Sequence, residues 1–68
     1  MITEIGIVAG DIWHYLDQRN KTSTLDELVK CIDKSRNLVL MSLGWLAREG
    51  HVILDETDGD NYKITLRF

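Results

Sequence analysis

The chain has 68 residues, 44% of them hydrophobic, with no proline, one cysteine and a net charge of −3. That length admits one small domain with a marginal core, since chains of this size bury only about 60% of the surface they expose when unfolded. The lone Cys31 excludes an internal disulfide, no apolar run approaches the ~20 residues of a membrane span, and the acidic balance argues against a compact nucleic-acid binder dependent on clustered Lys and Arg.

The first element is a helix over 3–19, in which Ile5, Val8, Ile12 and Leu16 recur at helical spacing with Ala9 and Tyr15 flanking them. Gly6 and Gly10 lie one turn apart inside it, each costing about 1 kcal/mol relative to Ala. Either something packs closely against them or both are tolerated losses, and the sequence leaves the two readings open. Asn20-Lys21 ends this helix, and Thr22-Ser23 forms an extended link with room for a short strand.

Thr24-Leu25-Asp26-Glu27 matches a capping box and opens helix two, over 25–32. Leu25, Leu28, Val29 and Ile32 supply its apolar face. Cys31 sits among them and is expected to be a buried structural thiol. Asp33-Lys34 makes a tight turn, Ser35 or Asp33 caps helix three over 36–49, and Gly50 ends that helix in a left-handed conformation.

Helix three carries two apolar stripes, one of Val39, Leu43 and Leu46 and another of Leu38, Met41 and Trp45. After Gly50 the period changes to two. Val52 and Leu54 alternate with Ile53, and Tyr62, Ile64, Leu66 and Phe68 alternate with Lys63, Thr65 and Arg67, giving a hairpin over 51–68. Between the strands, Thr57-Asp58-Gly59-Asp60-Asn61 has the residues of a turn that visits positive φ.

Three helices followed by a two-stranded hairpin, with a short strand between helices one and two, is an α+β order that resembles a winged helix-turn-helix over the whole chain. The most specific part of the resemblance is Val39, Leu43, Leu46, Arg48-Glu49-Gly50 and Val52, which is similar to the junction of helix three and wing in many bacterial regulator domains. In length, and in Trp13, Leu43-Gly44-Trp45-Leu46 and Glu49-Gly50, the chain is also similar to a small prokaryotic winged helix family of unknown function. That resemblance implies a free-standing domain that pairs through its helix-turn-helix motif, and it implies no activity.

A DNA-reading winged helix needs donors and acceptors on the exposed side of helix three. Here those positions hold Leu40, Met41, Gly44 and Trp45, and only Arg36 and Asn37 at its start and Arg48 near its end could contact a duplex. Asp55, Glu56, Asp58 and Asp60 place carboxylates on the wing, where they repel phosphates. The expectation is a homodimer around helix three, with Met41 and Trp45 as anchors and Leu38, Leu40, Gly44 and Trp13 completing the contact, or else a protein heteropartner on the same face. Packing of Met41 and Trp45 inside the monomer competes with this. Helix one already fills the core with four residues, so both stripes are hard to bury internally. The alternative function is DNA binding, in which Lys30, Lys34, Arg36, Lys63 and Arg67 gather into a basic face and Lys34, Arg36, Asn37, Arg48 and Lys63 make the contacts.

Catalysis, metals, cofactors and small-molecule substrates are not expected. His14 and His51 lack further ligands at zinc spacing, and the acidic turn lacks the spacing of a calcium loop. Cys31 has no base suggested beside it, no glycine-rich phosphate loop occurs, and the fold should leave little volume for a substrate pocket of ~300 Å³. The amino-terminal residues lack the pattern of an export signal, so the expected setting is reducing and cytoplasmic.

Overall fold

The apolar periodicities wind and pair as their spacing predicts. The computed structural model describes residues 2–57, 59 and 61–67. It contains α1 (Ile2–Asp17), β1 (Thr22–Thr24), α2 (Leu25–Cys31), α3 (Arg36–Arg48), β2 (Val52–Glu56) and β3 (Tyr62–Leu66). The link between the first two helices is a true strand: β1 pairs antiparallel with β3, which pairs antiparallel with β2, in the order β1-β3-β2. The register sets Ser23 and Leu54 on either side of Ile64. Asp58, Asp60 and Phe68, expected in the turn and at the strand end, lie outside the described residues.

One core joins all the elements. Val8, Ile12 and Leu16 of α1, Leu25 and Leu28 of α2, Val39, Leu43 and Leu46 of α3, and Val52, Ile64 and Leu66 of the sheet are all buried in it. α1 lies across α3, its most extensive partner, and the sheet closes the other side.

Helix ends follow from local chemistry. α1 stops at Asp17, two residues before the expected end, because the Arg19 and Lys21 amides both donate to the Leu16 carbonyl (3.1 and 2.9 Å) and the chain turns left-handed at Asn20 (φ 60) and Lys21 (φ 66). Leu66 N–H then donates to the Lys21 carbonyl at 2.8 Å, locking this turn to β3. At the start of α2 the Thr24 hydroxyl accepts from Glu27 N–H at 3.2 Å, while the Glu27 carboxylate accepts from the Ser23 and Thr24 hydroxyls. Asn61 Oδ1 accepts from the Asp26 and Tyr62 amides, tying the first turn of α2 to the start of β3. α2 ends at Cys31, one residue early, since Ile32 already adopts extended backbone at φ −97, ψ 119.

Of the two candidate caps for α3, Ser35 accepts from Leu38 N–H at 3.2 Å. The helix closes at Arg48, with Gly50 N–H on the Ala47 carbonyl (3.1 Å), His51 N–H on the Leu46 carbonyl (2.9 Å) and Gly50 at φ 78. Replacing Gly50 by Ala should therefore destabilise the fold by about 1–2 kcal/mol from backbone strain. The nearest atom to the new Cβ, Arg67 Nη1 at 3.9 Å, adds no clash. The check is urea unfolding, with a lower midpoint at unchanged slope.

One expectation changes here. Cys31 is exposed, not buried, because α2 turns this position away from the core that Leu28 fills. Of the two readings open for Gly6 and Gly10, close packing finds no partner: beyond their own stretch of helix backbone, no atom of the described residues lies within 4 Å of where a Cβ would stand.

Candidate protein-contact surface

The exposed side of α3 is built from its own periodicity. With Val39, Leu43 and Leu46 committed to the core, positions 37, 40, 41, 44, 45 and 48 turn outward. The middle of that side is apolar: Leu40 is 37% exposed, Met41 42% and Trp45 47%, around the bare backbone of Gly44. Leu38 does not belong with them. It is 9% exposed and joins the core, beside Val8 and Ile7 of α1, so α1 covers the part of the second stripe nearest the helix start. Trp13 lies half-buried against the core on α1, edge-to-face with the His14 ring at 5.5 Å, and does not line the cleft beside α3.

The wing extends the apolar side of α3. Leu40, Leu43 and Gly44 face Leu54 and Tyr62 across a cleft of about 190 Å³, and Leu54 is 38% exposed. Ile53, on the opposite face of β2, is 47% exposed. Sequence reasoning assigned one face of the hairpin to the core and missed Ile53, Leu54 and Tyr62 as surface. The signal was the unbroken run Val52-Ile53-Leu54, where strict alternation would put a polar residue at 53.

The DNA-contact candidates sit at the entry to α3, at its far end and on the wing. Arg36 and Arg48 lie at opposite ends of α3, about 18 Å apart at 1.5 Å per residue, with the apolar stretch between them. The Arg36 guanidinium stands 3.8 Å from the Asp26 carboxylate. Lys34 and Asn37 are exposed at the entry to α3, and Lys63 sits on β3 directly across from Asp55 of β2.

A second and larger cleft, about 440 Å³, lies between α1 and the α2–α3 connection, lined by Asp11, His14, Tyr15, Gln18, Cys31 and Lys34 among others. It exceeds the volume expected of the fold, since Cys31 faces out and the connection stands off from α1. Its chemistry is weak. Tyr15 O–H donates to Cys31 Sγ at 3.4 Å, and this bond, with desolvation, raises the phenol above its usual pKa against the opposing pull of Arg19 stacked 5.1 Å from the ring. A phenol so held is a poor base for activating the thiol. No group of three or more His, Cys, Asp or Glu among the described residues is placed to hold a metal. None of their helices is long and apolar enough to cross a membrane.

Residues 1–65 match the model of a winged helix-turn-helix domain family, DUF2582. The chain belongs to that family. This winged helix domain is also 34% identical over 56 residues to the uncharacterized protein MJ1608 of Methanocaldococcus jannaschii, covering 81% of this chain and 80% of the relative. No solved structure matches it significantly. In a winged helix domain α3 occupies the place of the major-groove reader, and here that place presents leucine, methionine and tryptophan.

Proposed function

We propose that this winged helix domain acts without catalysis, pairing with a second copy of itself through the apolar side of α3 and the adjoining wing. The observation that carries the reading is the exposure of Leu40, Met41 and Trp45 on α3 and Leu54 on β2, large apolar side chains all more than one-third exposed, of which Leu40 and Leu54 line the cleft between helix and wing. Large apolar side chains gathered on one surface mark contact sites. Gly44 supports it: a glycine costs a helix about 1 kcal/mol relative to Ala, yet beyond its own stretch of helix backbone no atom of the described residues lies within 4 Å of its would-be Cβ. Close approach by another molecule accounts for its place at the centre of the face. The unpaired thiol of Cys31 accords with a reducing, cytoplasmic setting.

Sedimentation equilibrium of the wild type and Trp45→Glu across a concentration series tests the reading. A wild-type dimer and a folded, monomeric variant are expected. A wild type that stays monomeric at micromolar concentration would overturn self-association and leave a heteropartner or DNA.

DNA binding remains the second reading because of the family's fold and the exposed Lys34, Asn37, Arg48 and Lys63. We expect no retardation of a mixed-sequence duplex by micromolar protein at low ionic strength. Retardation that fades steeply as salt is added would favour DNA, because phosphate contacts release counterions.

A further inference from the structure

The open edge of β2 has a definite chemistry. At the two ends of the β2–β3 ladder, Arg67 N–H donates to the His51 carbonyl (2.9 Å) and Thr57 N–H to the Asn61 carbonyl (3.2 Å). Antiparallel pairs alternate, so 51, 53, 55 and 57 direct their peptide groups toward β3. The N–H and C=O groups of Val52, Leu54 and Glu56 therefore point outward, on a strand with β3 as its neighbour on the other side. Unpaired edges of this kind are templates for another strand, and natural proteins usually blunt them with charge. Here the charge is confined to Asp55 and Glu56 at one end, while Ile53 and Leu54 are apolar and exposed.

We propose that a second copy of this chain adds its β2 antiparallel to β2, with Ile53 opposite Ile53 across a twofold axis, joining the two sheets into one. The proposal rests on the self-association argued above and specifies its geometry. Sheet geometry, charge and the position of α3 select a second copy in this register.

A twofold axis perpendicular to a continuous sheet keeps the same face upward in both copies. Since cross-strand partners share a face, 53 can meet 53 or 54 can meet 54, but 53 cannot meet 54. Both allowed registers join outward-pointing peptide groups to one another. With 54 opposite 54, Ile53 would face Asp55 and buried Val52 would face Glu56, setting carboxylates against apolar side chains. With 53 opposite 53, Leu54 meets Val52, and Asp55 meets His51.

Charge also fits the antiparallel sense. It carries the acidic end of each β2, Asp55 and Glu56, to the other copy's strand start, where His51 stands and where Arg67 Nη1 lies 3.9 Å from the Cβ position of Gly50. A parallel arrangement would superpose the acidic ends.

The same axis places both α3 helices on one side of the joined sheet. Leu40 and Gly44 border Leu54 there, so that flank of α3 adjoins the edge strand.

The experiment is disulfide capture in a Cys31→Ser background, which removes the native exposed thiol. Residue 53 occupies a non-hydrogen-bonded pair, with Cα atoms about 4.5 Å apart, within disulfide reach. Ile53→Cys should give a covalent dimer as the main species under mild oxidation. Asp55→Cys, on the same strand face but offset by about 13 Å from its counterpart, should remain mostly monomeric on denaturing gels. Equal yields, or preferential capture through 55, would overturn the register. If the wild type is a dimer that Trp45→Glu dissociates and yet Ile53→Cys is not captured, the edge pairing fails while pairing through α3 stands. A monomeric wild type removes both. As a second measurement, Ile53→Lys should weaken dimerisation at least tenfold, with unchanged far-ultraviolet circular dichroism, by opposing like charges at the axis. An unchanged dimerisation constant would overturn the proposal.

Discussion

Trp45→Glu is expected to weaken dimerisation by about a thousandfold while leaving the monomer folded. The indole is 47% exposed on a surface that also carries Met41 and Leu40, so its loss from the monomer removes little core packing. In the dimer the arithmetic is different. A buried tryptophan anchor typically costs about 2 kcal/mol or more on truncation. Each substitution counts once per copy about a twofold axis, giving about 4 kcal/mol, or three factors of ten. The glutamate also brings a carboxylate into a contact that offers it only Leu, Met and Gly. Sedimentation equilibrium gives the constant, and a urea melt at low concentration confirms that the monomer persists. Loss of folding together with loss of pairing would place Trp45 in the core and remove it as an anchor.

Ile12→Ala should unfold a large fraction of the protein, whereas Ile7→Ala, little more than one turn earlier on the same helix, should change stability by less than about 0.5 kcal/mol. Ile12 is fully buried where α1 lies across α3, and Ile7 is 59% exposed. Truncating a buried isoleucine costs about 2–5 kcal/mol, because the cavity adds to the lost transfer energy. A chain of 68 residues has only about 3–10 kcal/mol in total. The check is urea unfolding followed by circular dichroism at matched protein concentration. Matching matters, since the proposed pairing would stabilise the folded state by mass action and raise the midpoint as concentration rises. A small loss at Ile12 would mean that α1 collapses onto α3 around the gap.

These two experiments probe the two sides of one helix problem. A small domain must spend nearly all its apolar residues on a single core, and α1, α3 and the sheet do so through Val8, Ile12, Leu16, Val39, Leu43, Leu46 and Ile64. Apolar residues left over on α3 and β2 stay exposed, and the proposed pairing would cover them. Pairing would cover the site where other winged helices meet DNA.

Local chemistry made much of this chain legible from residues alone. Periods of 3.6 and 2 separated helices from strands, and Thr24, Ser35 and Gly50 marked ends because each satisfies particular backbone groups within a few residues of itself. What lies across space was decided by tertiary structure. Leu38 and Trp45 share a stripe by spacing, yet α1 covers the first and leaves the second open, since burial depends on where another helix ends. Cys31 faces solvent among apolar sequence neighbours because α2 turns its other side to the core. Leu54 continues the face of Val52 but extends past the cover of α3, so the two differ in exposure from 4% to 38%. Sequence spacing specifies which residues share a face, and only the packed elements determine how far along that face the cover extends.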